Sequence, residues 1–361
     1  MEKYEVLAII GNGFDLAHGL KTSFYDFACY MLNSNSYQNI KLMMDYFEIV
    51  KQYSLKEENI TIVDEWYDFE KIAQKMVSNF SHAEICSPKG FDAVYKGRKE
   101  YYCIISDINS ALIKYFSKCE KERFTLLDSI KHYLSEKTIA INFNYTNTVR
   151  RYGCKQIFIH GSLEENEIVL GYDDYTDDGA YDFANYEDRY LLKEYGRERL
   201  IFSRWLSSQN ICDSDTISKL KNEYLEFMKL TETCRGCEDG DYDIYDGRIR
   251  KFKEYYQDEL SYNGLTDDVL MNIRHVVIMG HGIKSDMMLL DNILKKINPD
   301  VLEDITIFLY CGISLQNIKE QVNYFRRKFI FKENLIRFEE YKTGEIDTVL
   351  LKKIIDSINS Y

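Results

Sequence analysis

The sequence lacks the features that mark exported and membrane-spanning proteins. Its longest uncharged runs, residues 27–40 and 305–318, reach about 14 residues, whereas a helix needs ~20 apolar residues to cross a bilayer. The first residues contain neither the basic stretch nor the apolar core of a signal peptide. The nine cysteines are an odd number spread along 361 residues, which is typical of reduced thiols rather than of a disulfide framework. We therefore expect a cytoplasmic protein that does not bind membranes.

Positive charge is also scarce. Lysine and arginine together number 46 against 59 aspartates and glutamates, which gives a formal net charge of -13 at pH 7. A protein that binds duplex nucleic acid normally carries the opposite surplus, because it must neutralise phosphates. Hydrophobic residues make up 45% of the chain and charged residues 29%, as in ordinary folded proteins. We therefore expect a folded protein whose main ligand is not a nucleic acid, and the charge still allows a small anionic ligand.

Proline, which is common in linkers between domains, occurs only at Pro88 and Pro299. Short apolar runs alternate with helical patterns along the chain. This alternation predicts an α/β fold with a doubly wound parallel sheet. The predicted strands are residues 5–10, 138–143, 157–159, 168–170, 275–279, 306–310 and 335–338.

Two long stretches interrupt this alternation. Residues of about 37–135 and 172–266 are mainly helical in pattern, and within the first we predict helices at about 64–79, 91–118 and 124–135. The strands on either side of both stretches fit a single sheet. We therefore predict one interrupted α/β domain that covers the whole chain and carries two large helical insertions.

Four polar loops that contain glycine or histidine follow predicted strands, at residues 11–15, 142–146, 160–161 and 280–286. In an open parallel sheet such loops share one edge, which is where ligands bind. Glycines let the backbone approach a phosphate, and amides at a helix start attract its charge. Taken singly, each loop also fits a tight turn, a core histidine or a turn asparagine. The coincidence of all four predicts a ligand site at this edge.

Three sequence patterns are similar to metal sites but lack residues that such sites require. The cysteines of residues 234–237 have the spacing of a zinc half-site, but no second pair follows. The alternating aspartates of residues 239–243 lack the glycine and the final glutamate of a calcium-binding loop. His281 and Asp286 are typical of a metallophosphatase loop, yet no second histidine cluster accompanies them. We therefore expect no bound metal and keep a metal-dependent enzyme as an alternative.

Six short segments occur in order over most of the chain, at residues 9–22, 66–70, 142–146, 159–161, 170–173 and 279–281. Through these segments the chain resembles the AbiH family of bacterial abortive-infection proteins. The resemblance implies a role in defence against phage and a phage-derived trigger as a partner.

A second similarity concerns the loops themselves. Asn-Tyr-Thr at residues 144–146 followed by His-Gly-Ser at 160–162, with a glycine loop before them and a Gly-x-Gly turn after them, is similar to sirtuin-like NADase domains of phage defence systems. This similarity implies a Rossmann-like, sirtuin-like site for NAD in which Asn144 and His160 match the catalytic residues. Asp15 would lie near the positive charge that develops on the ribose. The implied reaction is hydrolysis of NAD to nicotinamide and ADP-ribose.

Two alternatives remain open. One is a metal-dependent phosphoesterase or nuclease that uses Asp15, Asn144, His160 and His281. The other is a non-catalytic nucleotide-binding sensor that signals through a homo-oligomer. The expected site combines catalytic Asn144, His160 and Asp15 with residues that contact the dinucleotide, namely Gly11, Asn12, Gly13, Phe14, Thr22, Asn142, Tyr145, Thr146, Gly161, Gly280, His281, Gly282 and Asp286.

Overall fold

The computed structural model describes most of the chain in separate ranges. Its helices and strands, with the loops between them, are built from residues 4–53, 69, 72–73, 76, 91–122, 124–170, 193–209, 216, 219–220, 255, 259–311, 313–329 and 335–359. The paired cysteines of residues 234–237, the acidic runs near them and the helix predicted for most of residues 64–79 lie outside these ranges.

Within the described ranges, eight strands form two sheets. Six of them build a parallel sheet in the order β3-β2-β1-β6-β7-β8, and β4 pairs with β5 in a short antiparallel hairpin. Counted in chain order, the six parallel strands run 3-2-1-4-5-6, which is the order of Rossmann folds. The predicted fold class is therefore confirmed. The strands are β1 Val6–Ile10, β2 Thr138–Asn142, β3 Lys155–Phe158, β4 Gly161–Ser162, β5 Glu167–Ile168, β6 His275–Met279, β7 Asp304–Leu309 and β8 Ile336–Glu340.

The strand predicted at residues 168–170 is shorter and differently placed. It is β5, which turns back on β4 and does not join the parallel sheet. Gly161 causes the change of direction, because its φ of 83° lies in the left-handed region that glycine adopts without strain.

The central strands are buried along their whole length because both faces of the sheet are covered. Every residue of β1, β2 and β7 is buried, as expected for parallel strands between two helical layers. Successive residues face opposite sides, so Leu7 and Ile9 join one core while Ala8 and Ile10 join another. The edge strand β8 instead alternates between half-buried and exposed residues.

Ten α-helices occur within the described residues, and those between β1 and β2 form a separate core. Helices α2, α3 and α4 pack together through large side chains such as Phe24, Phe27 and Tyr101. The helices are α1 Asn12–Ala17, α2 Phe24–Leu32, α3 Tyr37–Tyr53, α4 Phe91–Cys119, α5 Lys193–Ser208, α6 Glu259–Tyr262, α7 Asp267–Met271, α8 Met287–Leu294, α9 Leu315–Lys328 and α10 Thr348–Asn359.

Two helix predictions in the first insertion have different outcomes. The helix predicted at about residues 91–118 is confirmed by α4. The helix predicted at residues 124–135 is wrong, because this segment contains only the 3-10 turn Asp128–Ile130. The amide of Leu127 donates to the Tyr152 hydroxyl (2.8 Å), so a tertiary contact replaces the local bond of a helix start.

The strands before and after the helical stretches lie side by side. β1 pairs with β6 through five residues, although more than half of the chain separates them in sequence. None of the helices in the described ranges is long and apolar enough to cross a membrane. The division of the chain into one domain with two insertions stays a prediction.

Candidate active site

Four loops meet at the carboxyl edge of the parallel sheet. They follow β1, β2, β3 and β6, whose parallel pairing brings their ends to one side. Strand order changes direction between β1 and β6, and this switch point is where Rossmann sheets bind dinucleotides. The predicted convergence of the four loops is therefore confirmed.

Glycines allow the loops after β1 and β6 to interlock. The amide of Gly11 donates to the carbonyl of Met279, and the amide of Gly13 to the carbonyl of Gly280, both at 3.0 Å. A Cβ on Gly13 would lie 2.7 Å from the Cα of Gly280, and a Cβ on Gly280 would lie 2.2 Å from the Phe14 nitrogen. These two amides are thus engaged within the protein, so a phosphate bound here would need other donors.

Asn144 connects the loop after β2 to the loop after β1. Its side-chain Nδ2 donates to the carbonyl of Gly11 (3.0 Å), and its backbone amide donates to Oδ1 of Asn142 (3.0 Å). Asn142 in turn donates from Nδ2 to the carbonyl of Thr146 (3.1 Å), which shapes the turn. Asn142 therefore supports the loop from inside, whereas Asn144 lies at the junction of two loops.

Asp15 lies under the same junction, in α1. Its Oδ2 accepts a hydrogen bond from the Thr146 hydroxyl (2.6 Å), and its Oδ1 is buried with no hydrogen-bond partner in the described part of the chain. Burial raises the pKa of Asp15 to about 6, and the bond from Thr146 opposes this rise. Asp15 is therefore a carboxyl group that changes charge close to neutral pH.

His160, Asp286 and His281 form a buried cluster between the loops after β3 and β6. Nε2 of His160 lies 2.8 Å from Oδ1 of Asp286, and Nε2 of His281 lies 3.2 Å from Oδ2 of the same carboxylate. Each of the three residues is only 5% exposed. One carboxylate thus bridges two histidines that sequence order separates by more than a hundred residues.

Two neighbours complete this cluster. The ring of Phe143 packs against His281 at 4.1 Å and against His160 at 5.5 Å between centroids. Nε2 of Gln321 donates to the carbonyl of His281 (2.9 Å) and fixes the backbone of that loop. The cluster therefore has an apolar wall on one side and a polar support on another.

The sequence did not single out Gln321, Phe143 or His18. Gln321 had a visible signal, because it is a polar residue on the buried stripe that α9 forms with Ile318 and Val322. His18 is structural: its ring nitrogens contact the Phe14 carbonyl (2.7 Å) and the Tyr152 hydroxyl (2.5 Å), and burial lowers its pKa to about 4.

Some residues expected to contact a ligand are engaged in packing. Phe14 is fully buried and packs against His18 and Tyr341, so its assignment to the ligand is not supported. Tyr145 donates its hydroxyl to the carbonyl of Val169 (2.9 Å) and its ring lies against Phe116. Both aromatic rings therefore hold the loops onto the protein.

The remaining residues that were expected to contact a ligand differ in what surrounds them: some make contacts within the protein, and one has space for a Cβ among the described residues. The Thr22 hydroxyl donates to Oδ1 of Asn12 (2.7 Å), which closes the first loop onto the start of α2. A Cβ on Gly161 would lie 2.1 Å from the carbonyl oxygen of Glu167, so this glycine serves the β4–β5 hairpin. In the part of the chain that the structure describes, a Cβ on Gly282 would meet nothing within 4 Å.

A surface groove of about 560 Å³ lies next to these loops, beside the end of α4. Its acidic and basic side chains are equal in number, so the groove offers no net charge to an ion. Among the residues that the structure describes, no three His, Cys, Asp or Glu side chains are arranged to hold a metal ion. The groove is lined by Glu120, Lys121, Glu122, Asn147, Arg150, Arg151 and Glu164.

Comparison with known proteins identifies the family. No curated protein and no solved structure matches the chain. A family described as bacteriophage abortive infection AbiH matches residues 7–308. This span begins in β1, ends in β7 and includes all four loops of the candidate site. The expected family is thereby confirmed, and the chain belongs to the AbiH family of bacteriophage abortive infection proteins.

Proposed function

We propose that this AbiH protein acts in abortive infection by binding NAD at the carboxyl edge of its sheet and hydrolysing it to nicotinamide and ADP-ribose. Membership of the family supports the role in abortive infection. The choice of NAD rests on the site and on the similarity of its loops to sirtuin-like NADase domains.

The observation that carries the proposal is the position of Asn144 and His160. The two side chains belong to the adjacent loops after β2 and β3. They contact the loops after β1 and β6, which flank the switch point of the sheet with the 3-2-1-4-5-6 order. Dinucleotides bind across this crevice in Rossmann sheets. Both side chains are also largely buried, so a ligand that reaches them is shielded from bulk water.

The chemistry required for this reaction suits these residues. The bond between ribose C1′ and nicotinamide breaks, and the bonding pair leaves with nicotinamide, which becomes neutral. Water adds to C1′ and transfers its proton to His160, which acts as the general base. The carboxylate of Asp15 stabilises the cationic ribose, while Asn144 orients the water or a ribose hydroxyl.

The test is nicotinamide release from NAD by the purified chain, with and without a lysate of phage-infected cells as the trigger. We expect His160→Asn and Asn144→Ala each to lower the rate by ~100-fold or more, the usual contribution of a positioned base or orienting group. His275→Asn is the matched control. His275 also pairs with an aspartate, Asp304 (3.0 Å), but at the opposite edge of the same sheet, and its loss should leave the rate unchanged.

The other outcomes separate the alternatives. Full activity in both site variants, or an equal loss in His275→Asn, would show that the reaction does not occur at this edge. Cleavage of a phosphate ester bond without nicotinamide release, lost with a chelator and recovered with Mg²⁺ or Mn²⁺, would support the metal-dependent phosphoesterase. Tight binding of NAD without turnover under every condition would support the sensor.

A further inference from the structure

Asp286 makes two contacts of the same kind inside the candidate site. Its two carboxylate oxygens lie 2.8 Å from Nε2 of His160 and 3.2 Å from Nε2 of His281. An ionised carboxylate only accepts hydrogen bonds, so a nitrogen that bonds to it must carry the proton. A neutral imidazole has one protonated nitrogen, which leaves the lone pair on the other.

We propose that Asp286 is a positioning residue that holds both His160 and His281 in the Nε2–H tautomer. Nδ1 is then the proton-accepting nitrogen of each ring. The tautomers follow from this geometry when the carboxylate is ionised and both rings are neutral. Their consequence for catalysis rests on the proposed function, because it makes Nδ1 of His160 the atom that takes the proton from water. His281 supplies a second Nδ1 acceptor for an O–H group of the ligand.

The surroundings of His281 support this assignment. Its Nδ1 is buried and has no hydrogen-bond partner within the described residues. Gln321 holds the backbone carbonyl of His281, and the ring of Phe143 covers the imidazole, so the ring cannot turn freely to solvent. A buried acceptor without a partner is costly unless a ligand or water supplies a donor. A hydroxyl-bearing ligand such as a ribose has that donor.

His18 provides an internal reference with the opposite tautomer. Its Nδ1 lies 2.7 Å from the carbonyl oxygen of Phe14, which only accepts, so Nδ1 carries the proton. Its Nε2 then accepts from the Tyr152 hydroxyl. The lowered pKa of His18, about 4, keeps this ring neutral at pH 7. The proposal thus places one tautomer at His18 and the other at His160 and His281 in the same molecule.

The tautomers can be read from long-range proton–nitrogen NMR spectra of the full chain with 15N-labelled histidine. The six histidine signals are assigned by single His→Asn variants. We expect the Nε2–H pattern for His160 and His281 and the Nδ1–H pattern for His18. An Nδ1–H pattern at His160 or at His281 in the unmodified protein overturns the proposal, with no variant needed.

Asp286→Asn tests whether Asp286 sets the tautomers of His160 and His281. This near-isosteric change should alter the spectra of His160 and His281 and leave that of His18 unchanged. It should also lower kcat for NAD by ~100-fold, because the base His160 loses its fixed tautomer, and raise KM, because His281 no longer presents a fixed Nδ1 acceptor to the ligand. Asp304→Asn is the matched control, since Asp304 contacts His275, Thr306 and Arg337 at the opposite edge. It should leave the signals of both site histidines and kcat unchanged.

The two parts of the proposal fail in different ways. Unchanged spectra of His160 and His281 in a folded Asp286→Asn variant would show that Asp286 does not set their tautomers. The expected tautomers in a protein that never releases nicotinamide would support the bridge and contradict the proposed function. A thermal unfolding transition shows whether the Asp286→Asn variant is folded. If this variant is unfolded, the spectrum of the unmodified protein alone tests the tautomers of His160 and His281.

Discussion

At the scale of single residues, Asp15 shows a conflict between the stability of the fold and the proposed function. Burial raises its pKa to about 6 from a value of 3.8, because a charged carboxylate is poorly solvated under the loops. The hydrogen bond from Thr146 compensates only partly. The proposed reaction nevertheless needs the charged form beside the cationic ribose. Such a conflict is common where an active site holds a group in an unfavourable state.

The sign of this effect predicts a dependence of stability on pH. Between pH 4 and pH 6 the folded chain keeps the Asp15 proton that the unfolded chain loses, so the contribution of Asp15 to stability falls as pH rises. A shift from 3.8 to about 6 corresponds to about 3 kcal/mol. Asp15→Asn stays neutral, so its free energy of unfolding relative to the unmodified protein should rise by about this amount between pH 4 and pH 7.

Urea unfolding at a series of pH values measures this difference. Asp300→Asn, at an exposed aspartate, controls for the change in total charge. A difference that does not vary with pH would mean that the folded chain does not favour the protonated form of Asp15. The same variant should also lose NAD hydrolysis, because it lacks the negative charge.

The sequence predicted where the site lies better than what each residue does there. Apolar runs that end in glycine and polar residues are visible in the sequence, so the four loops could be placed on one edge. The contacts between side chains within the site could not be predicted, because residues such as Asp286 and His160 are 126 positions apart and meet only through the sheet order. Phe14 shows the same limit, since its ring packs against Tyr341 and so faces the core.

At the scale of elements, a partly buried ion-pair network connects α5 to the hairpin that follows His160. Arg204 contacts Glu165 of the hairpin turn at 2.6 Å and the buried Glu259 at 3.1 Å. Glu165 also accepts a hydrogen bond from the hydroxyl of Ser162 in β4 (2.9 Å). The strand β4 begins directly after His160, so this network supports the segment that carries the proposed base.

Breaking this network should destabilise the protein far more than breaking an exposed pair. Arg204→Met leaves Glu259, which is 2% exposed, with the longer ion pair to Arg197 (3.4 Å) and a hydrogen bond from the Asn263 side chain (3.0 Å). We expect a loss of about 2–4 kcal/mol in the free energy of unfolding, because a buried charge loses its nearer cationic partner.

Arg150→Met is the matched control for this change. Arg150 pairs with Glu164 of the same turn, but both side chains are more than half exposed, so the loss should stay below about 1 kcal/mol. Denaturant unfolding of the two variants compares them directly. Equal losses would mean that the network does not connect α5 to the hairpin in solution.

Elements with uniform patterns were predicted well, and those that depend on distant contacts were not. β1, β2, β6 and β7 are mainly apolar segments, and their positions in the structure match the expected ones closely. The segment at residues 124–135 has helical periodicity, but the contact between Leu127 and Tyr152 determines its conformation. Periodicity shows which residues are apolar, and tertiary hydrogen bonds decide what the backbone between them does.

At the scale of the whole molecule, one sheet holds together segments from both ends of the chain. Ile9 of β1 lies in register with Ile278 of β6, and both are buried in the same core. A chain with two independent domains would unfold its first strand separately from its later strands. The pairing of β1 with β6 instead requires them to separate in the same event.

Hydrogen exchange can test this cooperativity. Ile278→Ala removes a buried side chain from β6, which should destabilise the protein by about 2–5 kcal/mol. We expect amide protection in β1 to fall by the same amount as in β6, because both strands exchange only when the shared sheet opens. Val349→Ala is the control, since Val349 is 57% exposed and its truncation should change neither strand. A loss of protection confined to β6 would instead show that β1 belongs to a separately unfolding unit.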